Sequence, residues 1–296
     1  MNGPMSIPRL TRDCDHDAVL AAIDDAGAVI VEDLVDAVDL HAMTVELQPH
    51  VEQANPDMEH VNEVMQTFYR SVRNVTGLAG KSPTFVDAVL LHPLLLATAD
   101  AILGPSCADY TLNVAQVMVR EPGATRQWLH RDHEIWSFLP AGHPEVELST
   151  VVALTEFTEQ NGATAVVLGS HRWDADRRPQ EHEVVYAEMP AGAAVIYPGS
   201  TIHAGGTNAT SCGRAGLHLS YVVGWLRPEE TNTLAVGPAV ARTLPRRAQE
   251  LLGYAMHDAT AVGGGYLGCV GLRNPVDLLA AGELEPPTAS GHAVGP

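Results

Sequence analysis

Basic residues are scarce in this chain. Lysine and arginine together number 17 against 36 aspartates and glutamates, a formal net charge of −19, and only Arg177-Arg178 and Arg246-Arg247 bring two cations side by side. Nucleic acids and anionic membrane surfaces need a positive footprint and are therefore excluded as expected partners. A polyanionic substrate is disfavoured for the same reason. Long apolar runs are also missing: Ala88 to Leu103 is interrupted by His92, Pro93 and Asp100 and is too short to span a bilayer. Met1 to Leu10 has no basic segment followed by an apolar core, so no signal peptide is expected and the protein reads as soluble and cytoplasmic. The four cysteines, Cys14, Cys107, Cys212 and Cys269, form no C-x-x-C pair, which argues for reduced thiols over a disulfide framework or a structural zinc site.

What is present is a globular composition, 46% hydrophobic and 18% charged over 296 residues. The pattern predicts a helix from Asp13 to Asp25 closed by Gly27, a short buried strand at residues 28–31, and a second helix from Asp36 to about Val51 whose end Pro49 disturbs. Residues 53–81 read as a long excursion of the binding-loop kind. Ser82-Pro83 starts one helix that runs to the Gly104-Pro105 stop. From Tyr110 to Arg227 short strands separated by turns dominate, with strands expected at 110–120, 148–157, 165–168 and 215–225 and a hairpin joining 184–188 to 193–197 through Pro190-Ala191-Gly192. A helix at 242–252 capped by Gly253 should follow, then flexible stretches at Gly263-Gly264-Gly265 and from Glu285 onward. The fold class expected is α+β, a single domain over 1–296: a mainly helical part at 1–108, an antiparallel sandwich or barrel at 109–227, and a C-terminal segment with a flexible tail.

One stretch stands out chemically. Gln127-Trp128-Leu129-His130-Arg131-Asp132 places a histidine and a carboxylate two residues apart in a region flanked by strands, so both would face one side and Arg131 the other. Alone, the triplet is equally a surface strand with two polar residues. A second histidine, His203, follows the turn Pro198-Gly199-Ser200-Thr201 and precedes Ala204-Gly205-Gly206; by itself it reads as a turn histidine bonded locally. Arg214 opens an apolar strand in which Arg214, Gly216, His218 and Ser220 share a face. A guanidinium on an inner face is costly without an anion, either a ligand carboxylate or a buried glutamate. Two histidines, one carboxylate and a downstream arginine suggest a non-haem iron site with an oxo-acid co-substrate.

In order and spacing these motifs resemble the phytanoyl-CoA hydroxylase-like branch of the iron(II)/2-oxoglutarate dioxygenases, especially those of secondary metabolism. That pattern is Q-x-x-H-R-D, then N-G-x-T leading to G-S-H, then P-G-[ST]-x-H, then an arginine about ten residues on. The chain has Gln127 to Asp132, Asn161-Gly162-Ala163-Thr164 leading to Gly169-Ser170-His171, Pro198 to His203, and Arg214. The resemblance extends loosely from Gly27 to about Pro275. It implies a double-stranded β-helix of the jelly-roll or cupin-like kind with N-terminal helices packed on the outside. It further implies iron(II) bound by His130, Asp132 and His203, O₂ as oxidant, and 2-oxoglutarate held at its far carboxylate by Arg214. Gln127, Thr164 and, more weakly, Asn74 would hydrogen-bond the co-substrate, although Thr164 reads equally as a turn hydroxyl. His171 belongs to a structural turn. Because Asp132 keeps its carboxylate where halogenating relatives have a small residue, the implied outcome is hydroxylation, desaturation or rearrangement, with release of succinate and CO₂.

Trp128, Trp136, Phe138, Phe68 and Tyr69 could line an apolar pocket for a small organic substrate, and the acidic balance argues for a free metabolite over an acyl-CoA. Specificity is expected in 53–81, 135–147 and the segment after Pro228, which could also supply a homodimer contact or a lid. Two other readings share the same residues. One is a cupin-type isomerase or metal hydrolase using zinc, with Arg214 on a substrate carboxylate. The other is a non-catalytic binding barrel.

Overall fold

The first helix shows how local chemistry sets the elements. Asp15 accepts the amide of Ala18 at 2.9 Å, Asp17 sits in the positive first turn, and Gly27 ends the helix at φ 78°, a backbone state open to glycine at little cost. This helix, α1 (His16–Ala26), follows a short strand β1 (Arg9–Thr11) and precedes β2 (Val29–Glu32). The computed structural model describes residues 6–57, 60, 62–257 and 265–284. Gly263, Gly264 and the tail from Glu285, expected to be flexible, lie outside the described residues.

Helix α2 (Ala37–Gln53) is capped by Asp36 and runs through Pro49 without ending there. The 53–81 excursion is more structured than expected, for it holds α3 (Glu63–Phe68) and a strand, β3 (Val72–Val75), that joins the main sheet. The single helix expected from Ser82 to Leu103 is two. A first piece, α4 (Pro83–Phe85) continued by a wider turn over Val86–Leu90, bends by 53° into α5 (Pro93–Leu103). Pro93 is the cause: the residue before a proline is driven out of helical geometry, and His92 adopts ψ 123° and caps α5 through Leu94 N–H. Among the described residues no single helix is long and apolar enough to cross a membrane.

Seven further strands follow: β4 (Tyr110–Arg120), β5 (Glu147–Ala153), β6 (Thr164–Val167), β7 (Val184–Tyr186), β8 (Ala194–Pro198), β9 (His203–Gly205) and β10 (Arg214–Val223). Four short helices, α6 (Asn232–Ala235), α7 (Pro238–Ala241), α8 (Arg246–Gln249) and α9 (Pro275–Ala280), close the described chain; α8 leads into a wide turn at Glu250–Tyr254 whose Gly253 has φ 86°. The strands form a seven-stranded sheet, ordered β1-β2-β8-β5-β10-β4-β3, and a three-stranded sheet, β7-β6-β9. All pairings are antiparallel except β1 with β2. The result is a mixed α/β fold with one large antiparallel sheet.

Two expectations fail in this topology. Residues 184–188 and 193–197 do not form a hairpin, because β7 pairs with β6 in the small sheet and β8 lies between β2 and β5 in the large one. The helical N-terminal part also contributes three strands, β1 to β3, to the large sheet.

Side-chain alternation divides the large sheet into two faces. Val29, Val31, Leu148, Val152, Ala194, Ile196, Leu217 and Leu219 meet Val19, Met43, Leu47, Leu95 and Leu103 from the helices. The opposite residues, including Ile30, Val151, Val195 and Tyr197, meet Val166 and Ala163 on the small-sheet side. Within the small sheet, backbone meets backbone just beyond the Thr164–Gly205 pair of β6 and β9: a Cβ on Gly206 would lie 2.5 Å from the Ala163 carbonyl oxygen. Gly206→Ala should therefore cost about 1–3 kcal/mol, the usual range for overpacking, in a urea unfolding titration. A change below about 0.3 kcal/mol would show that this edge separates freely.

Candidate active site

The two segments that carry the histidines are joined by reciprocal backbone hydrogen bonds. His130 N–H donates to the His203 carbonyl at 3.0 Å and His203 N–H to the His130 carbonyl at 2.9 Å. This isolated bridge replaces the strand expected at 127–132, and Asp132 opens a 3₁₀ turn to Ile135. The local alternation survives because Arg131 is extended, at φ −109° and ψ 137°. Its guanidinium points away from Asp132, donating to Ser200 O at 2.9 Å and Ser170 O at 3.3 Å, as the alternation requires.

His130, Asp132 and His203 each offer a ligand atom within 4.8 Å of the others. Asp132 Oδ1 is 3.5 Å from His130 Nε2 and 3.4 Å from His203 Nε2. Ligand atoms about 2.1 Å from a common ion stand about 3.0–3.5 Å apart at octahedral to tetrahedral angles, so the spacing fits a first-row metal. The imidazoles are oriented for it. Nδ1 of His130 lies 2.9 Å from Trp128 O, and Nδ1 of His203 lies 3.1 Å from Thr201 O. With Nδ1–H given to a carbonyl, each Nε2 keeps its lone pair toward the triad. Ser149 Oγ donates to Asp132 Oδ2 at 2.8 Å and leaves Oδ1 for the histidines.

The electrostatics follow from burial and contact. Burial alone would raise the Asp132 carboxyl, but His203 and His130 outweigh it and hold the group far below the usual carboxylate range. Burial pushes His203 down to about 4. His130 is also penalised by burial, yet its bond to Asp132 wins and its pKa is raised. One carboxylate thus faces two imidazoles, and a divalent ion would complete the set.

Beyond the triad a cavity of about 300 Å³ opens between the sheets. On β4 it is lined by Val114, Gln116, Met118 and Arg120, every second residue, and on β10 by Arg214 and His218. Arg120 and Arg214 are direct partners across the two strands, both 3% exposed. Arg120 donates from Nε to Gly206 O at 2.8 Å and from Nη2 to Thr125 O at 2.5 Å. Arg214 donates to Gly162 O, lies over the Phe157 ring at 4.2 Å, and has a buried Nε without a partner. Neither forms an ion pair with a carboxylate among the described residues. Burial lowers their pKa values to about 10 and about 9, with Arg120 adding to the effect on Arg214. Like charges facing each other across strands repel, and this pair calls for an anion.

Gln127 and Thr164 both line this cavity, and Gln127 Oε1 accepts Gly205 N–H at 2.7 Å. A Cβ on Gly205 would stand 2.8 Å from Arg120 Nη1 and 2.9 Å from Gln127 Oε1, so the glycine keeps a polar cradle open. Asn74 stands apart. It faces the same side as Met118, its partner across β3 and β4, but it does not line the cavity, and its amide donates to Val72 O at 3.3 Å. Of the aromatics, Phe68, Tyr69 and Trp128 line the cavity, whereas Trp136 turns its Nε1 to Arg227 O at 3.0 Å and Phe138 is fully exposed. His171 holds Asp24 O at 3.2 Å, in keeping with a structural turn.

Arg120, Ser149, Tyr197 and Glu229 escaped the sequence reading, and His218 was placed only on the inner face. For Arg120 a signal existed, since the alternation Val114, Gln116, Met118, Arg120 ends in a cation opposite Arg214. Ser149 and Glu229 had none.

Two imidazoles and a carboxylate that could hold a metal ion thus share a sheet-walled cavity with two guanidiniums that have no carboxylate partner among the described residues. The model of the phytanoyl-CoA dioxygenase (PhyH) family matches residues 23–216, and the chain belongs to that family. It is 31% identical over 243 residues to the dioxygenase olcK of Penicillium canescens, covering 80% of each chain. To the dioxygenase swnH1 of Metarhizium robertsii it is 29% identical over 293 residues, covering 93% of this chain and 92% of the relative. The fold is also that of the non-haem epimerase SnoN in complex with Fe³⁺, α-ketoglutarate and nogalamycin RO, with a TM-score of 0.55, 19% identity, and coverage of 75% of this chain and 89% of that one.

Removing the Ser149 hydroxyl frees Asp132 Oδ2 without touching a ligand. Ser149→Ala should weaken iron(II) binding about tenfold in an anaerobic titration. Unchanged affinity would mean that the two histidines alone orient the carboxylate.

Proposed function

We infer that the protein is an iron(II)- and 2-oxoglutarate-dependent oxygenase that oxidises a small organic metabolite with release of succinate and CO₂. The observation that carries this reading is the meeting, in one cavity, of the His130, Asp132 and His203 cluster with the cross-strand pair Arg120 and Arg214, which has no carboxylate of its own. Three ligands on one side of a metal leave the other positions open to a chelating oxo acid and O₂. The whole chain forms one domain, a double-stranded β-helix between its two sheets with the helices outside. His130 and His203 serve as neutral ligands and Asp132 as the charged one. Arg214, with Arg120 beside it, takes the far carboxylate of the oxo acid, as a bidentate fork does. Gln127 and Thr164 hydrogen-bond the same molecule; Asn74, outside the cavity lining with its amide on Val72 O, is left out of this set. Val114, Val151 and Tyr197 exclude water around it, and Phe68, Tyr69 and Trp128 form the wall against which the substrate lies. Iron(II), when bound, would activate O₂ as the oxidant with 2-oxoglutarate as the two-electron donor; the chain supplies position and charge.

The test is anaerobic reconstitution with iron(II) and 2-oxoglutarate, which should produce the weak visible charge-transfer band of a bidentate chelate, followed by succinate formation when O₂ is admitted. No band and no succinate, with wild-type and His130→Ala alike, would end the reading; a zinc-dependent isomerase or hydrolase on the same residues would consume no 2-oxoglutarate. Arg214→Ala separates the two parts of the site. It should raise the 2-oxoglutarate requirement at least about tenfold, as expected for a lost charge-assisted pair, while iron affinity changes far less. Equal loss of both would make Arg214 a structural residue.

A further inference from the structure

The cavity has a second charged end that iron and 2-oxoglutarate do not satisfy. Glu229 lines it together with Tyr69, Phe68, Trp128 and Ile135, and its charge acts on Tyr69. Its position is built. Asn113 Oδ1 accepts Glu229 N–H at 2.7 Å, and Asn113 Nδ2 donates to Glu229 Oε1 at 2.7 Å, so backbone and side chain are gripped by one residue. Asn113 is fully buried and is the extra residue where the β4 and β10 register shifts, between the pairs Ser220 with Val114 and Tyr221 with Leu112. Bulges of this kind re-aim a side chain next to an active site. Glu229 is exposed, and it forms no ion pair with a described residue.

The surroundings make an anionic or neutral occupant a poor match. Behind Asn113 the buried Glu147 shares the same amide at 3.0 Å, and Glu134 lines the cavity too. Partial desolvation and the Asp132 charge raise the Glu229 carboxyl although the residue as a whole is exposed, and a cation beside it would offset the Asp132 charge. Part of the same lining is aromatic: Phe68 packs edge-on against Trp128 at 4.7 Å and against Tyr69 at 5.0 Å between ring centroids. Carboxylate and aromatic faces together are the chemistry that recognises an ammonium group.

We propose that the substrate is an amine-bearing, partly apolar small molecule whose ammonium group is held by Glu229 against the aromatic wall of Phe68, Tyr69 and Trp128. The proposal rests on the oxygenase reading, in which Asp132 belongs to the metal and the arginines to the co-substrate. It makes Glu229 a specificity-determining residue that selects bases over acids and over acyl-CoA thioesters.

Three probes of one shape, 4-phenylbutylamine, 4-phenylbutan-1-ol and 4-phenylbutanoate, test it by anaerobic calorimetry at pH 8 on the full chain with iron(II) and 2-oxoglutarate. The amine should bind at least tenfold more tightly than the alcohol, with the acid weakest. Glu229→Gln should bring the amine to within twofold of the alcohol, and Glu229→Asp, which keeps the charge, should retain a preference. No binding of the amine by the wild type, equal binding of amine and alcohol, or a preference that persists in Glu229→Gln would each overturn the proposal. The charge-transfer band is recorded on the same samples. Its absence counts against the oxygenase reading, whereas the ratio of amine to alcohol bears only on the ammonium site.

Discussion

The site depends on one backbone exchange, the pair of hydrogen bonds between His130 and His203. Two such bonds contribute about 1 kcal/mol each net, too little to close a loop of this length by themselves. Arg131 supplies the rest of the closure. Buried between the two ligands of its own segment, it donates to Ser200 and Ser170, and Ser170 Oγ in turn accepts Ile202 N–H at 2.8 Å. Thr201 Oγ1 donates to Gly27 O at 2.7 Å and ties the same turn to the end of α1. The residue that faces away from the metal thus fixes the geometry of those that face it.

Charge is distributed so that the protein alone is electrostatically incomplete. Burying an ion costs several kcal/mol unless it is paired, and Arg120 and Arg214 find only carbonyl oxygens and a ring. Asp132 is better served, by two imidazoles and the Ser149 hydroxyl. A divalent cation and a dicarboxylate would complete these sets within one cavity. Ligand binding and folding are thermodynamically linked through such groups, so part of what stabilises the filled site is the relief of what is unfavourable in the empty one.

Much of this was legible in the sequence because strands write their inward faces at every second position. Alternation puts Arg214, Gly216 and His218 on one face, and the candidate triad of His130, Asp132 and His203 follows from the family resemblance of separate motifs and meets in space. Arg120 was equally legible by alternation but was passed over, since a cation at a strand end normally reads as solvent-exposed. The break at His92 could have been read from Pro93. Ser149, Asn113 and Glu229 could not: one lies inside an apolar run, one acts through a bulge that no local pattern announces, and one sits after Pro228 where periodicity is lost. Trp136 and Phe138 were misplaced for a related reason, that an aromatic close in sequence to a ligand need not turn toward it in a loop.

The failed hairpin is the most instructive case. Pro190-Ala191-Gly192 has the composition of a tight turn, yet its backbone bonds go elsewhere: Gly192 N–H donates to Ala153 O at 2.8 Å, and Gly192 O accepts Val35 N–H at 3.0 Å. The turn is therefore anchored to the end of β5 and the approach to α2, and the chain passes from the small sheet to the large one. That crossing is what gives the cavity two walls, with His203 and Thr164 from one sheet and Tyr197, Arg120 and Arg214 from the other. Stacked sheets lie about 10 Å apart, a gap that side chains normally fill. Here Gly205 and Gly216 leave it open beside the guanidiniums: a Cβ on Gly216 would stand 2.7 Å from the Phe157 ring and 3.1 Å from Arg214 Nη1. A hairpin would have kept β7 and β8 in one sheet and left the histidine without an arginine to face.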